Sequence, residues 1–150
     1  MKAYVVLEDG KVFEGKSFGA AGEAFGEVIF DTDMFDYQEV LTDEASKNKA
    51  VVMTYTEIGN CGVSAETNNK EITASGIIVK QACKYPSNFT SVGTLGDYLK
   101  RKGKIGIENI DTRAIVRHVR NNPKKAVLFA GDETPDFAKL AEKAKAWKAA

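Results

Sequence analysis

The run Gly76-Ile77-Ile78-Val79 constrains the fold more than any other feature of this chain. It offers solvent no polar side chain, so a strand built on it must be covered on both faces. Three more strand-sized apolar blocks, Ala3–Leu7, Ala50–Tyr55 and Ala126–Ala130, need a shared core. With 150 residues the chain suits one domain spanning residues 1–150, able to bury roughly 68–70% of its unfolded surface. No apolar run approaches the roughly 18 residues that cross a bilayer, so no membrane partner is expected.

Turn and cap signals divide the chain. Ala3–Leu7 and Val12–Glu14 flank Asp9-Gly10, a dipeptide suited to a type I′ hairpin turn. The Gly-rich stretch Gly15–Gly26 reads as a loop or irregular edge, followed by a short strand at Val28–Phe30. Tyr37–Leu41 fits one turn of helix. Ala50–Tyr55 and Thr73–Lys80 read as strands. Leu95–Lys102 places Leu95 and Leu99 on one helical face, with Gly103 as its C-cap. Ile105–Ile110 is extended. Asp111 can cap a helix whose inner face carries Ile115 and Val119 and whose outer face carries Arg113, Arg117 and Arg120. Pro123 ends it. Ala126–Ala130 is a strand. Thr134-Pro135 opens a last helix with the stripe Phe137, Leu140, Ala141, Ala144 and Trp147. Five or six strands and three helices, strands concentrated early, describe an α+β or mixed α/β domain.

Few reactive constellations are available. His118 is the single histidine, which excludes metal sites built on several, and H-E-x-x-H does not occur. No metal, no cofactor and no catalytic set is expected. No G-x-G-x-x-G dinucleotide motif occurs. The acidic residues Asp31, Asp33, Asp36, Glu39, Asp43 and Glu44 lack calcium-loop spacing and suit capping and surface roles. Cys61, between Asn60 and Gly62, can be drawn as a nucleophile, but its glycine neighbours report a turn. Cys61 and Cys83 read as reduced thiols in a cytoplasmic chain, in keeping with a start too soon acidic for a signal peptide. The net charge is zero, yet acidic residues crowd the first half and basic ones the second. That asymmetry fits halves that face each other, a charged partner, or a nucleic-acid patch. Few aromatics interleave the basic clusters, so nucleic acid is the weaker partner.

Several segments together resemble one family. Leu7-Glu8-Asp9-Gly10 with Phe13 and Gly15, then Gly26–Thr32 with Met34 and Tyr37–Asp43, are similar to the small subunit of glutamine-dependent carbamoyl-phosphate synthase. Thr54-Tyr55 with Ile58-Gly59-Asn60 and Gly62, Ser87-Asn88-Phe89, Leu95 with Tyr98–Arg101, Ile110-Asp111-Thr112-Arg113, Ala130-Gly131-Asp132 and Glu142-Lys143-Ala144 follow in order. The resemblance runs from about residue 3 to 147 and covers that subunit's N-terminal domain. It implies a swivelling β/β/α single domain that holds the large, ATP-using synthetase subunit and borders the glutamine site. It also implies that glutamine hydrolysis belongs to a class I amidotransferase domain lying after this one. Arg113, Arg117 and Arg120 are then candidates for the partner interface. The family's glutamine-contacting Ser aligns with Ala45, leaving Ser46, one residue late, as the candidate glutamine-binding hydroxyl. Phe35-Asp36, Thr56 and Asn109 also depart from the family pattern, which commonly has Thr-Gly, Pro and Gly there. The resemblance implies part of a ligase serving arginine or pyrimidine synthesis. Two other readings stay open: a divergent stand-alone module of this fold that binds phosphate ligands or nucleic acid, and a hydrolase using Cys61.

Overall fold

A computed structural model describes residues 2–31, 47–53, 62–64, 72–80, 91–121 and 125–148. Seven strands close into a barrel. In chain order they are β1 (Lys2–Leu7), β2 (Val12–Ser17), β3 (Gly22–Asp31), β4 (Lys49–Met53), β6 (Gly76–Ile78), β8 (Ile105–Glu108) and β9 (Lys125–Gly131). Around the barrel the order is β1-β2-β8-β6-β4-β3-β9, and β9 pairs back onto β1. β3, β4, β6 and β8 run parallel, whereas β1, β2 and β9 join antiparallel. β5 (Gly62–Ser64) and β7 (Ser91–Thr94) form a separate antiparallel ribbon. Three helices complete the domain: α1 (Leu95–Lys102), α2 (Thr112–Asn121) and α3 (Phe137–Ala146). The mixed α+β class expected from the sequence is what forms.

Strand alternation sorts the apolar residues into three layers. Ala3, Val5, Leu7, Ala50, Val52, Ile78, Ile105, Ile107, Ala126 and Leu128 fill one cluster within the barrel, with Ile115, Val116 and Val119 of α2 added to it. Their neighbours along each strand point outward. Val51, Met53, Ile77 and Val79 meet Tyr98 and Leu99 of α1. Tyr4, Val6 and Val127 meet Leu140, Ala141 and Ala144 of α3. The Ile77-Ile78 pair is thus buried on both faces, each side chain fully so, as its lack of polar neighbours requires.

Several expectations are corrected. Gly15–Gly26 is not a loop: β2 continues to Ser17 and β3 begins at Gly22. Gly15 and Gly19 mark close approach between backbones, since a Cβ on Gly15 would sit 2.6 Å from the Glu108 carbonyl oxygen and one on Gly19 2.7 Å from Gly106 N. The first hairpin does not turn as type I′. Gly10 N donates to Leu7 O and Leu7 N to Lys11 O, and Gly10 alone has positive φ, at 95°. This is a three-residue loop with a glycine bulge. The last helix is capped by Asp136 rather than Thr134, its carboxylate accepting from Lys139 N at 3.3 Å. Nine strands, not five or six, occur among the described residues. The proposed turn at Tyr37–Leu41 lies outside the described residues.

Candidate functional site

α2 follows β8 through Asn109, whose φ of 56° is a left-handed conformation that asparagine tolerates. Asp111 then caps the helix, its Oδ1 accepting from Ala114 N at 3.0 Å. Thr112 is buried at 1% exposure. With about 100° per residue, Ile115, Val116 and Val119 turn into the core while Arg113, Arg117 and Arg120 face outward and are exposed. The triplet Asp111-Thr112-Arg113 therefore divides into a cap, a core residue and an exposed cation. The first two positions have structural roles, and the third has none among the described residues.

The sequence-predicted row Arg113, Arg117 and Arg120 is brought together on one hollow of about 440 Å³, which Asp111 and Val116 also line. No salt bridge to any of the three arginines is formed among the described residues. Arg113 lies in the first helical turn, which holds no acidic residue, so its charge opposes the positive end of the helix dipole. The arrangement has the chemistry to receive anions: three guanidinium groups supply forked donors that suit carboxylate or phosphate oxygens.

His118 on the same helix reaches the β1–β2 turn, its Nε2 2.7 Å from Asp9 Oδ2. Its ring also stands edge-on to Phe13, with centroids 6.2 Å apart. Partial desolvation is the largest influence on Asp9 and acts to raise its pKa. The Lys11 amide, the hydrogen bond from His118 and the imidazole charge together outweigh it and hold the carboxyl below its ordinary value. This contact fastens α2 to the first hairpin. It joins residues 109 apart in sequence, and only closure of the barrel brings them together, so no local signal announces it.

A second hollow, of about 390 Å³, is lined by Lys2, Lys16, Asp132 and Thr134. Lys2 and Lys16 are cross-strand partners, and Lys2 is 3.9 Å from Glu14 with both side chains well exposed. No group of three or more His, Cys, Asp or Glu able to hold a metal occurs among the described residues. Among them, too, no helix is long and apolar enough to cross a membrane. Ala45 and Ser46, Thr56, Cys61 and Cys83, and the acidic residues 33–44 lie outside the described residues, as do Pro123 and Lys124.

Comparison with known proteins gives a consistent result. The profile of the family described as carbamoyl-phosphate synthase small chain, CPSase domain, matches residues 5–128. A carbamoyl phosphate synthase small chain from Syntrophotalea carbinolica is 49% identical over 146 residues, covering 97% of this chain and 39% of that protein. The namesakes from Maridesulfovibrio salexigens and Rhodopirellula baltica are 48% and 44% identical, covering 97% and 96% of this chain and 39% and 37% of theirs. The chain thus spans well under half the length of these relatives.

Proposed function

The chain belongs to the carbamoyl-phosphate synthase small-chain family, and from that premise we propose that it works as an assembly domain in a glutamine-hydrolysing carbamoyl-phosphate synthase. In this reading it docks the large synthetase subunit through a surface that includes Arg113, Arg117 and Arg120. It also borders the glutaminase domain, where Ser46 stands in for the hydroxyl that Ala45 lacks. The assembled enzyme is a cytoplasmic ligase whose carbamoyl phosphate serves arginine or pyrimidine synthesis. Glutamine hydrolysis and ATP chemistry belong to the partner domains, and this chain contributes position rather than reacting groups.

The observation that carries the reading is the outer face of α2. The inner face of that helix completes the barrel core, yet its outer face holds three cations with no salt bridge among the described residues. A face that adds nothing to the fold's own pairing suits a charged partner.

The test is size-exclusion chromatography of the purified chain mixed with a purified glutaminase domain and large synthetase subunit. Co-elution of the chain with either one is the expected result. Elution alone, with retained binding to nucleic acid at low salt, would replace the assembly reading with that of a stand-alone binding module.

A further inference from the structure

Resting on the assembly reading above, we infer that the outer face of α2 is an arginine-specific seat for a row of partner carboxylates spaced about one helical turn apart. Arginine occurs only four times among the 21 Lys and Arg of the chain. Three of the four are Arg113, Arg117 and Arg120, on one face of one ten-residue helix. The fourth, Arg101 on α1, already has an interaction partner.

A face that needs only solvation has no use for such selection. α3 shows what that looks like here, with Lys139 and Lys145 on its exposed side. Guanidinium adds a rigid planar fork that grips a carboxylate with two parallel hydrogen bonds and is weakly hydrated, so it desolvates at an interface more readily than ammonium. The chain places that group where it is electrostatically costly, with Arg113 at the positive end of the helix. Asp111, the nearest carboxylate on the rim, is engaged as the cap of Ala114 N.

Spacing identifies the complement. At a rise of about 1.5 Å per residue the row from Arg113 to Arg120 is about 10 Å long, with neighbours about 5–6 Å apart. Carboxylates at i, i+4 and i+7 of an acidic helix repeat those intervals. Buried Val116 lines the hollow between them. Nucleic acid is the poorer match. Three cations bordered by an aspartate fall short of the roughly 6–10 phosphate contacts that make salt-sensitive binding strong.

The test is a titration of the 150-residue chain against a purified large subunit of a carbamoyl-phosphate synthase, read as Kd at low salt and at about 0.3 M salt. Wild type is compared with Arg117→Glu, Arg117→Lys and, on α3, Lys139→Glu; Arg120→Glu serves if Arg117→Glu does not fold by circular dichroism. The inference predicts a loss of about tenfold or more for Arg117→Glu, a smaller but measurable loss for Arg117→Lys, and no change for Lys139→Glu. Wild-type affinity in Arg117→Lys would show that charge alone matters and overturn the fork. Wild-type affinity in Arg117→Glu would remove this face while leaving the assembly reading intact. An equal loss in Lys139→Glu would also overturn the seat, by showing a diffuse field. No binding by wild type would overturn the assembly reading, and the seat with it.

Discussion

A Cβ on Gly76 would lie 2.6 Å from both the Ile105 carbonyl oxygen and Leu128 Cδ1, so this strand position accepts no side chain. Gly76→Ala must displace a neighbouring backbone, and a loss of about 1–3 kcal/mol in thermal unfolding is expected. Asp9 tests the hairpin contact. Its carboxyl titrates below its ordinary 3.8 in the folded chain. Folding therefore gains from its ionised form, fully above about pH 5 and progressively less as pH falls through 3.8 and below. Asp9→Asn should melt earlier than wild type at pH 5.5, by about 0.2–1 kcal/mol for so exposed a pair, and the gap should narrow as pH falls below 3.8. A gap that widens on acidification would reverse the assignment. If Ser46 supplies the glutamine-binding hydroxyl, as the assembly reading proposes, Ser46→Ala should raise the KM for glutamine of the assembled enzyme, because a methyl offers no hydrogen bond. Some residues were legible before any fold was known. Asn109 stands where the resembled family commonly has Gly, and it adopts a φ of 56°, a left-handed conformation that asparagine tolerates. The bond between Asp9 and His118 was not, since nothing local links a turn to a helix so far along the chain.

Elements were legible where side-chain chemistry defines their ends. Gly103 closes α1 with a φ of 69°, and Lys104 N donates to Leu99 O while Gly103 N donates to Lys100 O. That is the six-to-one and five-to-two pattern that a glycine after a helix announces. Asp111 caps α2 as its position suggests, so Asp111→Ala should cost about 1 kcal/mol in denaturant unfolding. The start of α3 shows the limit of the same logic. Thr134-Pro135 carries the stronger signal, yet the helix begins two residues later behind Asp136. Asp136→Ala should therefore destabilise the chain by a similar amount while Thr134→Ala leaves it unchanged. Strands rich in glycine escaped because their glycines serve contacts with distant strands, as Gly15 does against Glu108. β5 and β7, three and four residues long, carry no alternation to read.

Closure of the barrel is a property of the whole molecule. β9, from the last quarter of the chain, lies between β1 and β3, so the end of the sequence completes a sheet begun by its first residues. Removing residues 125–150 would leave both strands with an open edge and strip α3 from Tyr4 and Val6. Such a chain should lose its cooperative thermal transition, which the full chain should show as a single step. The contrast between an acidic first half and a basic second half takes physical form in the same way. His118 meets Asp9 at 2.7 Å and Lys143 meets Glu23 at 3.8 Å, both across the halves. The arginine row of α2 takes no part in that pairing among the described residues, and the assembly reading assigns it to another subunit. Co-purification of the untagged chain from its native cells, with mass spectrometry of whatever travels with it, tests that assignment most directly. The account predicts recovery of a glutaminase domain together with a large synthetase subunit. Recovery of the chain alone, or bound to nucleic acid, would contradict it.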